Sequence, residues 1–235
     1  MSWRTARPVL ALRNLGRALG LNRLVGSWLV KGAYEDRFQA AMIAAIRPGD
    51  VVWDVGANVG LYAGKFSDIA GPSGKVFAYE PSPANLQRLN EAVASRANVI
   101  VVPLALGRRD GVAAFEQGSD RLGATSRIVD DGKGDPGGRI EIRVASGDQL
   151  VSSGVVAIPN AIKIDTEGFE LDVLLGLSRI LNEDCLRVVC VEVHFGLLEG
   201  RGLPDAPSDI ERLLVSAGFR VDWPDASHIV ATRSR

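Results

Sequence analysis

Apolar positions along the chain switch repeatedly between two patterns. Short continuous apolar runs, typical of strands buried on both faces of a sheet, alternate with stretches in which apolar residues recur every three or four positions, as in helices. Three such strands separated by two helices are predicted at VVWDV (51–55), KVFAYE (75–80) and NVIVVPLAL (98–106). This order predicts parallel strands joined by helical crossovers in a doubly wound α/β sheet.

The same alternation resumes after residue 160. Strands are predicted at AIKID (161–165), RVVCVEV (187–193), FRVDW (219–223) and HIVAT (228–232), and helices at about 170–181 and 208–217. Only four residues separate the last two strands. We therefore expect them to pair as an antiparallel hairpin at the edge of a mainly parallel sheet.

Residues 107–147 interrupt the alternation. Three segments there alternate apolar and polar residues and are separated by turns rich in Gly and Asp, which is typical of half-exposed antiparallel strands. The segments are VAAFE (112–116), ATSRIV (124–129) and RIEIRVA (139–145). We interpret them as a small antiparallel β insertion within a single domain over residues 34–235.

Charge distinguishes the first part of the chain from the rest. The 235 residues carry a net charge of −1, which does not favour nucleic acid as a partner. Residues 1–34, however, contain six basic residues and no acidic residue. We expect residues 1–33 to form a basic helical segment that packs on the domain or on a second subunit in a homodimer. A transit peptide or a membrane-surface helix is the alternative.

Location is constrained by what the sequence lacks. There is no run of 18 apolar residues and no secretory signal pattern, so we expect no transmembrane segment. The two cysteines, Cys185 and Cys190, form no disulfide framework. Both observations favour a cytoplasmic protein.

The loop after the first strand contains Asp54, Gly56, Ala57, Asn58 and Gly60. Its spacing is not the G-x-G-x-x-G of dinucleotide-binding loops, and it has no Gly-Lys-Ser/Thr for a nucleotide phosphate. The Asp54 carboxylate repels phosphate but suits a cation, and Asn58 tolerates a positive φ. A ligand with an ammonium group, a carboxylate and a ribose fits best, which describes S-adenosylmethionine.

Two further strand ends extend this predicted cofactor site. Glu80 ends the second strand, and its two carboxylate oxygens can accept both ribose hydroxyls. Pro81 follows it in the same turn. Ala105 and Leu106 end the third strand, where they can cover the adenine face.

Four polar side chains end the fourth and fifth strands. Asp165 and Glu167 are two residues apart, as are Glu192 and His194, so in extended geometry each pair points in one direction. Because the two strands are expected to be neighbours, the four groups should converge, with His194 or Asp165 as proton acceptor. A Mg²⁺ or Mn²⁺ site is the alternative. It is less favoured, and no metal ligand is assigned, because nothing in the sequence places the four groups around one centre.

Several of these segments together resemble one protein family. The segments DVGANVG (54–60), YEPSP (79–83), KIDTEGFE (163–170), VEVH (191–194) and HIVA (228–231) are similar to those of the FkbM family of methyltransferases. The resemblance extends over about residues 34–232. It implies a Rossmann-like class I methyltransferase fold and S-adenosylmethionine-dependent O-methylation of hydroxyls on natural products or glycans.

The resemblance also implies site roles. Asp54, Gly56, Asn58 and Gly60 would hold the methionine end of the cofactor, with Ala57 in the same loop, and Glu80 would hold its ribose. His194, Asp165 and Glu167 would lie where acceptor and methyl group meet, with Asp165 also near the cofactor, and Glu192 and Ser126 would contact the acceptor. Two other functions remain open at this point: a catalytically silent S-adenosylmethionine-binding module and a nicotinamide-dinucleotide oxidoreductase.

Overall fold

The computed structural model describes residues 38–116, 127–129 and 139–233. The strands are β1 (Val51–Val55), β2 (Lys75–Tyr79), β3 (Val99–Val102), β4 (Ala105–Leu106), β5 (Gly111–Glu116), β6 (Arg127–Val129), β7 (Arg139–Ala145), β8 (Ala161–Ile164), β9 (Val188–Glu192), β10 (Arg220–Asp222) and β11 (His228–Thr232). The helices are α1, which includes residues 38–45, α2 (Leu61–Ala70), α3 (Pro83–Val93), α4 (Gly147–Ser152), α5 (Glu170–Leu175), α6 (Phe195–Gly200) and α7 (Ala206–Ser216).

A seven-stranded sheet forms the centre of the molecule, in the order β10-β11-β9-β8-β1-β2-β3. The strands β9, β8, β1, β2 and β3 are parallel, and β11 pairs antiparallel with both β9 and β10. This confirms the doubly wound α/β sheet, the neighbouring fourth and fifth strands, and the antiparallel hairpin at the edge. The carboxyl ends of β1, β2, β8 and β9 consequently meet at one edge, where this class of fold binds ligands.

Helices cover both faces of this sheet, because side chains of its strands alternate between the faces. Val52 of β1 lies in a core with Phe38 of α1 and Phe66 of α2. Trp53, the next residue, faces the opposite core together with Leu174 of α5. Burial on both faces explains why the central strands read as continuous apolar runs.

A second, four-stranded sheet has the order β4-β7-β5-β6. The central strand β5 is antiparallel to β6 and β7, as predicted for the insertion, whereas β4 is parallel to β7. The predicted strand 98–106 was wrong in this respect, since it divides at Pro103 into β3 and β4, which belong to different sheets. Proline cannot donate a ladder hydrogen bond, so a continuous strand is disfavoured there. The N–H of Gly107 donates to the Ala145 carbonyl at 3.0 Å, so the two ends of the excursion between these residues are adjacent.

The predicted helix 170–181 is also shorter in the structure. It ends at Leu175 and is followed by a turn and a 3₁₀ helix at Ile180–Asn182. The Asp148 carboxylate fixes that turn by accepting hydrogen bonds from the Ser178 hydroxyl and from two main-chain N–H groups, at 2.9–3.0 Å.

Two predicted features lie outside the described residues, namely the basic segment 1–33 and Ser126. Among the helices that are described, none has the length and apolar character needed to cross a membrane.

Candidate active site

The glycine loop after β1 is fixed against the ends of two neighbouring strands. Gly56 has φ 81°, and a Cβ atom there would lie 1.8 Å from the Asp165 carbonyl oxygen. The N–H groups of Gly56 and Ala57 both donate to the Tyr79 carbonyl, at 3.1 and 2.9 Å. Only glycine therefore fits at position 56, and the backbone of the loop is held in place before any ligand binds.

The remainder of the loop leads into α2. Asn58 adopts φ 51°, a conformation that asparagine tolerates better than most residues, and Gly60 has φ 87° at the start of the helix. The sequence analysis expected a positive φ to be tolerated at Asn58, and the structure places it there. A Cβ atom on Gly60 would lie 2.8 Å from Leu89 of α3, so this glycine allows the two helices to pack closely.

Glu80 follows β2 and is oriented by two main-chain donors and by the Asn85 side chain. Its Oε2 accepts the Asn58 N–H at 2.9 Å, and its Oε1 accepts the Ser82 N–H at 2.8 Å. The side chain is 4% exposed, and this burial raises its pKa even though the two N–H groups favour the charged form. A carboxylate has about four lone-pair sites, so Glu80 can still accept a hydrogen bond from a ligand.

Asp54 lies beneath the loop and not on the wall of the cavity. It is fully buried, and burial raises its pKa. The ammonium group of Lys163 lies 3.4 Å from its Oδ1 and 3.3 Å from Asp165 Oδ2. Burial alone would lower the pKa of Lys163, but the two carboxylates outweigh that effect and raise it. Lys163 thus connects the base of the glycine loop to the end of β8.

His194 is oriented by a carboxylate that is completely buried. Its Nδ1 lies 2.7 Å from Glu170 Oε1, which also accepts the Gly168 N–H at 2.8 Å. Because Nδ1 is engaged in this way, Nε2 is the ring nitrogen that faces the cavity. This pairing fixes both the orientation of the imidazole and the position of its second nitrogen.

Three more carboxylates surround the other side of the ring. Nε2 of His194 lies 3.4 Å from Glu167 Oε2, 3.8 Å from Glu192 Oε1 and 3.9 Å from Asp165 Oδ1. Burial alone lowers the pKa of His194, but Glu170 and the other carboxylates outweigh it and raise the pKa to about 9. Burial raises the pKa of Glu167 to about 7, although His194 opposes this shift. The four groups predicted from the sequence therefore do converge.

The predicted reason for that convergence was wrong in one respect. Asp165 and Glu167 do not share an extended strand, because β8 ends at Ile164 and Glu167 has φ 48°. A left-handed turn at Glu167 and Gly168 brings the Glu167 carboxylate back towards His194. This conformation is uncommon for a residue with a side chain, and such strain is often found at functional sites.

The second histidine of the chain lies behind this cluster. His228 begins β11 directly opposite Glu192 in the strand register, and its Nε2 lies 3.5 Å from Glu192 Oε2. Its Nδ1 lies 2.8 Å from Asp225 Oδ2. Burial alone would raise the pKa of Glu192, but His228 and His194 lower it. Glu192 is consequently held as a charged group between two imidazoles.

One cavity of about 260 Å³ joins the two polar regions. The predicted site residues on its wall are Gly56, Asn58, Glu80, Pro81, Ala105, Leu106, Asp165, Glu167, Glu192 and His194. Ala57 and Gly60, like Asp54, support the loop without lining the cavity. Phe115 and Ile128 of the second sheet also line it, so the insertion forms part of the wall.

Three functional candidates were not singled out from the sequence: Lys163, Glu170 and His228. Lys163 could have been noticed as a charged residue within the otherwise apolar segment AIKI. Glu170 gave no such signal, because acidic residues are common in the first turn of a helix. His228 is placed by the pairing of β11 with β9, which is a tertiary contact.

Comparison with known proteins identifies the family of the chain. The model of the methyltransferase FkbM domain matches residues 54–221. The hexuronic acid methyltransferase AglP of Haloferax volcanii is 36% identical over 170 residues, which cover 72% of this chain but only 62% of that protein. The 31-O-demethyl-FK506 methyltransferase FkbM of Streptomyces tacrolimicus is 28% identical, with 90% of this chain and 88% of that protein covered.

Solved structures show the same fold. Aeropyrum pernix fibrillarin, crystallised with natively bound S-adenosyl-L-methionine, superposes with a TM-score of 0.50 over 82% of this chain and 72% of that chain, at 13% identity. Such a distant likeness concerns the fold alone. The family model, in contrast, spans most of the chain, from Asp54 in the glycine loop to β10, and so the chain belongs to the FkbM family of S-adenosylmethionine-dependent methyltransferases.

Proposed function

We propose that this protein transfers a methyl group from S-adenosylmethionine to a hydroxyl oxygen of a glycan or another small molecule. The observation that carries the proposal is the single cavity. At one end it is lined by Gly56, Asn58 and Glu80, and at the other by Asp165 and His194. Donor and acceptor bound in it would meet in a confined site, as methyl transfer requires.

The cofactor end has the groups that S-adenosylmethionine needs. Glu80 accepts two main-chain N–H groups and a hydrogen bond from Asn85, and its carboxylate still has acceptor capacity for a ribose hydroxyl. Within the described part of the chain, Asn58 Oδ1 is buried and has no hydrogen-bond partner, so it can accept a hydrogen bond from the cofactor's ammonium group. Ala105 and Leu106 offer apolar surface for adenine.

When bound, S-adenosylmethionine supplies an electrophilic methyl group on a sulfonium sulfur. The residues of the chain orient the acceptor hydroxyl towards it and take up the proton that the hydroxyl loses. We assign this role jointly to Asp165, Glu167 and His194, whose polar atoms lie within 4.8 Å of one another. Proton uptake is the part of the carboxylates, because a pKa of about 9 leaves the uncomplexed His194 protonated at neutral pH, where it can orient the hydroxyl. A pKa of about 7 allows Glu167 to exchange a proton near neutral pH. Glu170 acts as a positioning residue, because it touches the imidazole and not the cavity.

A neutral acceptor, such as a sugar or polyol hydroxyl, suits this site. Among the described residues on the cavity wall, four are acidic, and none is Lys or Arg. An anionic group next to the cluster would be repelled, whereas hydroxyls donate hydrogen bonds to carboxylates. The named relatives act on hexuronic acid, whose own carboxylate would have to lie away from the acidic cluster, and on 31-O-demethyl-FK506. Both support carbohydrates and natural products as the acceptor classes.

Location and assembly are further parts of the proposal. Both cysteines are free thiols, which supports a reducing compartment such as the cytoplasm. The basic segment 1–33 is proposed to mediate homodimerisation, which analytical ultracentrifugation of the full chain and of a chain lacking that segment would measure.

Two measurements test the function. Calorimetry should show binding of S-adenosylhomocysteine but not of NAD, and labelled S-adenosylmethionine should methylate members of a library of sugars and hydroxylated natural products.

His194→Ala should keep the cofactor affinity and lose at least about a hundredfold in turnover. Full activity of this variant would exclude His194 from the chemistry. Cofactor binding without transfer to any acceptor would favour the silent module.

A further inference from the structure

Three side chains of types that bind metal ions converge at the acceptor end of the cavity. Asp165 follows β8, Glu167 lies in the turn after it, and His194 follows the neighbouring strand β9. One donor atom from each lies within 4.8 Å of those of the other two. The parallel pairing of Ile164 with Val191 fixes the relative positions of the two strand ends, so this convergence is a property of the sheet.

The imidazole already has the orientation that a metal ligand needs. Glu170 is completely buried and engages Nδ1 of His194 at 2.7 Å, which leaves Nε2 to face Asp165 and Glu167. Histidines that bind metals generally donate their other ring N–H to a carboxylate or carbonyl, which fixes the tautomer and the ring.

The spacing within the cluster is not explained by hydrogen bonding. Nε2 lies 3.4 Å from Glu167 Oε2 and 3.9 Å from Asp165 Oδ1, and in the described residues no hydrogen bond joins Nε2 to either oxygen. Ligands at about 2.1 Å from one cation lie roughly 3–3.5 Å apart in tetrahedral or octahedral geometry. The three atoms lie within 4.8 Å of one another, so a modest approach of the two carboxylates would place them around a common centre.

The charges around the three donor atoms favour the binding of a cation. Glu167 faces three carboxylates, those of Asp165, Glu192 and Glu170, and is compensated by His194, which gives up its Nε2 proton when a divalent cation takes its place. Lys163 contacts Asp165 but also balances the buried Asp54. Several partly buried carboxylates around one imidazole are costly unless a further positive charge accompanies them.

We propose that Asp165, Glu167 and His194 bind one divalent cation, Mg²⁺ or Mn²⁺. A ligand set of two carboxylates and one imidazole suits these ions and leaves coordination positions for acceptor oxygens. A metal was not favoured from the sequence, because nothing there placed the groups around one centre, and their convergence in the structure supplies that observation. A role of the cation in polarising the acceptor hydroxyl rests on the proposed function, whereas cation binding itself does not.

Mn²⁺ is the probe for this site, because its electron paramagnetic resonance signal distinguishes free from bound ion. The full chain, treated with EDTA and dialysed, should bind one Mn²⁺, and Mg²⁺ should compete. Asp165→Asn and His194→Ala should each weaken binding more than tenfold. Asp68→Asn, which removes a surface charge paired with Arg96, is the control and should bind as the wild type does.

Absence of Mn²⁺ binding at millimolar concentration would overturn the proposal, as would unchanged affinity in the Asp165 and His194 variants. Circular dichroism and S-adenosylhomocysteine calorimetry on each variant would show that the fold and cofactor end are intact. The two proposals can fail separately. A chain that binds Mn²⁺ but methylates nothing keeps the metal site and loses the proposed function, and one that methylates without binding Mn²⁺ does the reverse.

Discussion

The two ends of the cavity are stabilised in different ways. At the cofactor end, main-chain N–H groups hold the carboxylate of Glu80, and the Tyr79 carbonyl holds the glycine loop. At the acceptor end, side chains are held by other side chains, above all His194 by Glu170 and Asp165 by Lys163. The first arrangement follows directly from the course of the backbone, whereas the second depends on a balance of charges.

This difference indicates how each end responds to change. Backbone donors do not titrate, so the geometry at Glu80 should vary little with pH or ion content. The acceptor end gains or loses stability with each proton or cation, because its carboxylates share few compensating charges. Substitutions at Lys163, Gly56, Glu80 and His228 test this contrast.

Replacing the lysine beneath the site should have the largest effect. Lys163→Met leaves the fully buried carboxylate of Asp54 without its cation, which should lower the free energy of unfolding by roughly 3–5 kcal/mol. Urea unfolding would measure the loss. The double variant Asp54→Asn/Lys163→Met is the control and should recover part of it. A loss below about 1 kcal/mol would show that side-chain charge does not stabilise this region.

A single methyl group should disrupt the cofactor end. Gly56→Ala places a Cβ atom against the Asp165 carbonyl in a left-handed backbone conformation, and should cost about 2–4 kcal/mol of stability as well as most cofactor affinity. Gly71→Ala is a matched control, since its φ is also positive, at 68°, but no atom lies within 4 Å. Equal losses in the two variants would mean that close packing at Gly56 is unimportant.

Neutralising Glu80 should weaken cofactor binding without changing the acceptor end of the cavity. Glu80→Gln keeps the shape but loses charge-assisted acceptance of a ribose hydroxyl, so the affinity for S-adenosylhomocysteine should fall roughly tenfold to a hundredfold. Isothermal titration calorimetry would measure this. Glu91→Gln, on the exposed surface of α3, should bind normally. Unchanged affinity in Glu80→Gln would remove Glu80 from the ribose site.

The smallest expected effect is a pH dependence at His228. Burial alone would lower its pKa, but Glu192 and Asp225 outweigh burial and raise it. A raised pKa in the folded state means that the protonated ring stabilises the fold below about pH 6.5, and that this contribution is lost as the pH rises through the folded value. The advantage of wild type over His228→Asn in unfolding free energy should therefore be larger at pH 6 than at pH 10. A difference in unfolding free energy between wild type and His228→Asn that stays constant with pH would contradict this prediction.

Local patterns made much of the fold and the cofactor end predictable. Continuous apolar runs located the parallel strands, and the glycine spacing with Glu80 located the loop and the carboxylate beside it. At the acceptor end, the sequence predicted only that the polar ends of the fourth and fifth strands would lie close together. The left-handed turn at Glu167, the pairing of Glu170 with His194 and the contact of Lys163 with Asp54 all depend on tertiary packing, which one sequence does not show. The division between β3 and β4 was missed because the apolar run continues through Pro103.

The hydrogen bond between Gly107 and Ala145 has a consequence for how acceptor choice can diverge. The segment between these two residues begins and ends at adjacent positions. Its length can therefore change at little cost in loop-closure entropy. It also contributes Phe115 and Ile128 to the cavity. Replacing this segment with that of another family member should give the chimera the acceptor preference of that member. Its affinity for the methyl donor should remain that of the present protein.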